Sequence, residues 1–118
     1  MGQHSFSKAE RLLKSKDFIV VRKTGKRFAA KNFIIFLKEN NIGMRRFALA
    51  VGARVGGAVK RNRIKRLFRE FFRLNKEMFP PSSDIFISVR EGFNLLKYGE
   101  VEKEMRSVIS DLKQKFER

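Results

Sequence analysis

The stretch from Ala58 to Phe79 constrains this chain more than any other, because only one regular structure suits it. Its 22 residues run without Gly or Pro until Pro80-Pro81, which no helix can pass. At about 100° per residue, Ile64, Leu67, Phe68, Phe71, Leu74 and Met78 fall in one apolar arc. Asn62, Lys65, Arg66, Arg69 and Arg73 form a stripe centred about 150° away, with Arg61 and Arg63 flanking it. The spacing predicts a helix over Ala58 to Phe79 with one face in a core and a cationic face left outside.

The charge is concentrated around that helix. From Met1 to Ser83 there are 21 basic and five acidic residues, the whole of the net charge of +16. From Asp84 to Arg118 there are seven of each. Arg54 to Arg73 alone holds eight basic residues against the single Glu70. A charge serving only solubility would be mixed over the surface, whereas a concentrated one is the footprint of a polyanion partner. Just before the helix, Gly52-Ala53-Arg54-Val55-Gly56-Gly57 reads as a flexible loop feeding its N-terminus, where free N–H groups and the dipole suit a phosphate. A P-loop is excluded, because Ala58 stands where a lysine should follow Gly57.

The remaining elements follow from local pattern. Ser7 with Glu10 has capping-box spacing for one short turn, and Ser15 reads as an N-cap for a helix carrying Phe18 and Val21 and stopped at Gly25. Short strands are expected at Arg27 to Ala30 and Asn32 to Lys38, the second apolar on both faces. Asn40-Asn41-Ile42-Gly43 is turn chemistry. From Arg45 to Gly52 the chain alternates, with Phe47, Leu49 and Val51 on one side and Arg46, Ala48, Ala50 and Gly52 on the other. Those small residues either lie under a helix or leave a groove for a nucleic-acid backbone. Asp84 to Arg90 reads as a strand with Ile85, Ile87 and Val89 on one face. Tyr98, Val101, Met105, Val108, Ile109, Leu112 and Phe116 recur at helical spacing. The order favours an α+β sandwich in which helices cover one sheet, built as a single domain over residues 1–118.

Composition narrows the chemistry. There are no cysteines and the only histidine is His4, a poor basis for nucleophilic or zinc chemistry. A protein nuclease would need clustered carboxylates, but Asp17, Asp84 and Asp111 fall in separate elements. Glu100 and Glu104 share a helix face and read as a solvated ion-pair surface. The acidic residues beside the expected groove, Asp17 in particular, are candidates to help hold a magnesium ion against a bound nucleic acid. No apolar run approaches the roughly 18 residues of a membrane span, and the chain reads as soluble and cytoplasmic, with no membrane partner.

Gly56-Gly57-Ala58-Val59-Lys60-Arg61-Asn62-Arg63-Ile64-Lys65-Arg66-Leu67-Phe68-Arg69-Glu70 resembles the signature of the bacterial ribonuclease P protein subunit, centred on Arg-Asn-Arg. Arg11-Leu12, Lys16-Asp17-Phe18 and Gly25 are similar to that family's N-terminal pattern. The resemblance implies an αβββαβα two-layer sandwich, a ribosomal-protein-like fold whose four-stranded sheet has a left-handed β-α-β crossover. It also implies an accessory subunit in the Mg2+-dependent removal of the 5′ leader from precursor tRNA, the chemistry and its magnesium belonging to the catalytic RNA. RNA-subunit binding is expected at Arg54, Lys60, Arg61, Asn62, Arg63, Lys65, Arg66, Arg69 and Arg73. A leader-binding cleft is expected at Phe18, Arg22, Phe36, Ala48, Ala50 and Gly52, in a protein monomeric without RNA. Two positions depart from the family pattern: Arg22 stands where a second cleft aromatic is usual, and Ala53 reduces a basic pair. By charge alone, a general RNA-binding or ribosomal protein stays open as the alternative.

Overall fold

A computed structural model describes residues 15–94 and 97–116, with side chains described for 16–94 and 97–111. Helix α1 (Ser15–Thr24) leads into strands β1 (Lys26–Ala29), β2 (Phe33–Glu39) and β3 (Arg46–Ala50). Helix α2 (Ala58–Leu74), strand β4 (Ser83–Val89) and helix α3 (Tyr98–Phe116) complete the order αβββαβα. The turn expected at Ser7 to Glu10 lies outside the described residues, as do the side chains of Leu112 and Phe116.

The strands form one mixed sheet in the order β1-β2-β4-β3. β2 pairs antiparallel with both β1 and β4, while β3 lies parallel to β4 and is joined to it through α2. Because side chains alternate along a strand, this register separates two apolar sets. Phe33, Ile35, Leu37, Phe47, Ile85, Ile87 and Val89 pack with Ile64, Phe68, Phe71 and Phe72 of α2 and Val101, Met105, Val108 and Ile109 of α3. Ile34, Phe36, Ala48 and Phe86 face the other way, where Phe18 and Val21 of α1 meet them.

Aromatic rings fill much of the larger core. Phe47 stacks on Phe72 with centroids 4.7 Å apart, and Phe33 meets Phe68 edge-on at 5.2 Å. The sequence arc omits Phe72, yet that ring is fully buried. It lies about 40° beyond Phe68 on the helix, and β3 brings Phe47 to that side. Leu67 and Met78, which the arc includes, pack only at the margin of the core.

Helix α2 ends at Leu74, not at Phe79. Asn75 is the cause: its backbone N–H and its Nδ2 both donate to the Phe71 carbonyl, the latter at 3.0 Å, and the N–H also reaches Phe72. The side chain thus satisfies last-turn carbonyls that a continuing helix would have used. A short 3-10 turn, Lys76–Met78, fills the gap before the prolines. Glu104 also departs from the sequence expectation. Its two oxygens accept from the Asn32 backbone N–H at 2.9 Å and Asn32 Nδ2 at 2.7 Å, tying α3 to the β1–β2 turn. Glu100 accepts from the Lys97 N–H at the start of α3.

Gly25 closes α1 for a steric reason. A Cβ there would stand 2.6 Å from the Val21 carbonyl oxygen and 2.8 Å from that of Leu37, so only glycine lets the helix end meet β2.

Candidate nucleic-acid interface

Two surfaces carry the residues singled out in the sequence, and they belong to opposite sides of the sheet. The first is the outer face of α2. Burying Ile64, Phe68, Phe71 and Phe72 forces the remaining positions outward. Asn62, Arg63, Arg66 and Arg69 are exposed, and Lys60, Arg61, Lys65 and Arg73 are half-buried around them. Arg73 is paired with Glu70, the one acid on the helix. Val59 is 86% exposed in the first turn, an apolar side chain among cations.

No side chain caps α2 at Gly57, and its first turn carries no acid. The N-terminal N–H groups and the positive end of the dipole therefore add to the side-chain charge. The loop before it is more ordered than its glycines suggest. Ala53–Val55 forms a 3-10 turn, the Val55 N–H donates to the Gly52 carbonyl, and the Val55 side chain is buried in the core. Arg54 projects from this turn, 3.9 Å from Glu91. At Gly56 a Cβ would meet the stem of Lys60 at 2.6 Å, so that lysine lies folded back over the loop. Arg61 Nε is buried without a hydrogen-bond partner.

The second surface is the α1 side of the sheet. Register places Arg27, Phe36, Phe86 and Ala48 in one row across all four strands, and Ala29, Ile34, Ser88 and Ala50 in the next. Helix α1 sits on the first row. Phe18 stacks on Phe86 at 5.7 Å, with Phe36 tilted against the same ring at 5.9 Å. Ala48 is buried beneath this helix, so of the two readings of the small residues the covered one applies there. The second row stays open, with Ala29 and Ala50 exposed and Ile34 and Ser88 half-buried, and Gly52 is exposed beyond it. Beside α1 a depression of about 420 Å³ is lined by Ile19, Arg22, Lys23 and Phe36.

The structure thus brings Phe18, Phe36 and Ala48 together, with Arg22 at the rim and Ala50 and Gly52 on the open floor. Sequence reasoning missed Phe86, the ring both other aromatics touch. The signal was present in its parity, since it alternates with Ile85 and Ile87. Ile19 and Lys23 were also missed, and only the packing of α1 beside Phe36 singles them out.

One end of this face is electrostatic. Arg46 donates from Nε and Nη2 to the two oxygens of Asp84, each at 2.8 Å, and Asn40 Nδ2 adds a third bond to the same carboxylate. The Asp84 hydrogen bond is the main reason the Arg46 guanidinium is pushed above its ordinary value, against the opposing effect of burial. Arg46 Nη1 lies 4.0 Å from Asp17 Oδ2 on α1. Asp17 is therefore turned to a guanidinium, and Asp84 is fully engaged. Among the described residues no three His, Cys, Asp or Glu side chains converge to hold a metal ion, and no helix is long and apolar enough to cross a membrane.

Known proteins place this arrangement. The family model described as Ribonuclease P matches residues 6–113. The ribonuclease P protein component of Syntrophus aciditrophicus is 41% identical over 105 residues, covering 89% of this chain and 88% of the relative. That of Citrifermentans bemidjiense is 34% identical over 116 residues, covering 98% and 99%. The solved Staphylococcus aureus RNase P protein superposes with a TM-score of 0.81 at 29% identity, over 90% of this chain and 97% of that one. The Thermotoga maritima RNase P protein gives 0.76 at 29% identity, over 85% and 94%. The signature on α2, the fold and these relatives agree: the chain belongs to the ribonuclease P protein family.

Proposed function

We propose that this protein uses its two surfaces for two RNAs, holding the ribonuclease P RNA on the α2 face and the 5′ leader of precursor tRNA on the α1 face. The observation that carries this reading is the exposed stripe Asn62, Arg63, Arg66 and Arg69 beside an uncapped helix N-terminus. Arginine forks give paired hydrogen bonds to phosphate oxygens, and each neutralised phosphate releases counterions. Arg54, Lys60, Arg61, Lys65 and Arg73 extend the binding surface along the helix and its preceding turn.

On the other face, Phe36 and Ile19 give the depression beside α1 an apolar floor, with Arg22 and Lys23 at its edge, while Phe86 lies buried beneath Phe18. An apolar floor holds a base without reading its edges, which suits an enzyme serving many leader sequences. Arg22 in place of a second aromatic shifts that balance from stacking towards phosphate binding. Ala50 and Gly52 leave room for a backbone to approach.

The chain's own part is to bind and orient RNA. Phosphodiester hydrolysis, and the Mg2+ it uses, belong in this reading to the catalytic RNA. Asp17 and Asp84 do not fit a metal site, since both face Arg46. The accessory subunit is expected to work in the cytoplasm, as a monomer until it meets RNA.

The test is assembly with a bacterial ribonuclease P RNA across a salt series. Arg66→Ala with Arg69→Ala should weaken binding and lower the slope of log affinity against log salt by about one for each phosphate no longer neutralised. An unaltered affinity and slope would show that the stripe is not the RNA surface.

A further inference from the structure

Besides the stacking of Phe18 on Phe86, three further attachments join helix α1 to the sheet. Gly25 joins its C-terminal end closely to β2, Val21 is buried at its centre, and Asp17 faces Arg46 near its start. The first two are fixed by sterics and packing. The third depends on how one guanidinium is shared. Asp84 takes Nε and Nη2 in a fork, and Asn40 fixes Asp84 in turn, from a side chain also bonded to the Met44 carbonyl. A guanidinium is planar, so occupying that edge fixes the direction of Nη1. That direction leads to Asp17, the residue before Phe18, whose ring lies on Phe86.

We infer that Arg46 and Asp17 are positioning residues for the leader-binding face, a tether from β3 that sets how α1 and its Phe18 sit over the sheet. This rests on the proposed reading of that face. It goes beyond it by giving a role to an acidic side chain that simple electrostatics would count against RNA binding. Both side chains are about a quarter exposed, at 24% and 26%, so the tether is modest and reversible.

The two explanations of Asp17 predict opposite signs. If Asp17 only repels the RNA, Asp17→Asn removes a negative charge and tightens the binding of leader-bearing RNA. If it tethers α1, the same change loosens that binding selectively.

The experiment measures Kd for precursor tRNA and for mature tRNA on holoenzyme assembled with a bacterial ribonuclease P RNA. Asp17→Asn should reduce the precursor-over-mature preference by about two- to fivefold, with mature tRNA and RNA-subunit affinity unchanged. Arg46→Lys should reproduce the loss, because an ammonium cannot hold the Asp84 fork and reach Asp17 together. In the free Asp17→Asn protein, amide exchange should quicken across Phe18 to Val21 and stay unaltered in β2 and β4.

A preference that is unchanged or increased in Asp17→Asn overturns the tether, whatever Arg46→Lys does. A wild-type holoenzyme with no preference for the precursor overturns the leader-face reading itself, and the tether with it. The two failures are thus told apart by the wild-type control.

Discussion

The two faces of the sheet come from the same strands and reach different ends. On the α2 and α3 side, Phe33, Ile35, Leu37, Phe47, Ile85 and Ile87 are closed over by two long helices, and their rings and branched chains interlock. On the α1 side, a ten-residue helix covers one row and leaves the next open. The difference lies in the supply of apolar partners. Among the described side chains, α2 and α3 each bring four buried ones to their face, whereas α1 brings Val21 and a partly exposed Phe18. A closed face fixes the fold and the helix that displays the arginines. An incompletely covered face keeps apolar surface available for a ligand.

If this contrast is right, damage to each face should read out differently. The largest effect is expected on the closed side. Phe72→Ala removes a ring stacked on Phe47 and next to Phe79, and should cost about 3–5 kcal/mol of unfolding free energy in urea. A loss below about 1 kcal/mol would mean that this face is not the principal core.

On the α1 side, Phe36→Leu keeps apolar character and most of the volume while removing the ring. Stability should fall by less than about 1.5 kcal/mol, while the holoenzyme loses part of its preference for precursor over mature tRNA. Equal loss of affinity for both RNAs would break the assignment of this face to the leader.

The smallest effect concerns the edge of the closed side, where Tyr98 meets Asn75. Burial chiefly pushes the Tyr98 hydroxyl above its ordinary value of about 10, and the charges of Glu102 and Glu70 act in the same direction. As pH rises past that ordinary value, the unfolded chain loses this proton while the folded chain still holds it. This contribution to stability is therefore complete below the unfolded value and falls away above it. Tyr98→Phe should remove that component of the alkaline decline, visible as a shallower loss of melting temperature above pH 10.

Much of this organisation was legible in the sequence because periodicity and punctuation carry it. The cationic stripe and the Phe68 arc of α2 needed only helical spacing, and Gly25 marked the end of α1 correctly. What local pattern does not contain is the partner. Asn75 ends α2 five residues before the expected stop through a side-chain bond to Phe71, and nothing in a helical wheel predicts that competition. Glu104 looks like a solvated acid until Asn32, 72 positions away, donates to both of its oxygens. Phe86 was visible as strand parity, but its place beneath Phe18 depended on β4 lying between β2 and β3. The family resemblance supplied the roles of the two surfaces. Register and packing show which residues share each surface.

The most direct test of the central claim is 5′ cleavage of a precursor tRNA by a bacterial ribonuclease P RNA at low magnesium. It compares this protein with an unrelated basic protein of similar net charge, with RNA-alone and protein-alone controls. The account predicts that accurate cleavage is restored by this protein, not by the charge-matched one, and not without the RNA. Equal rescue by the unrelated protein would contradict it, reducing the arginine stripe and the α1 face to general charge neutralisation.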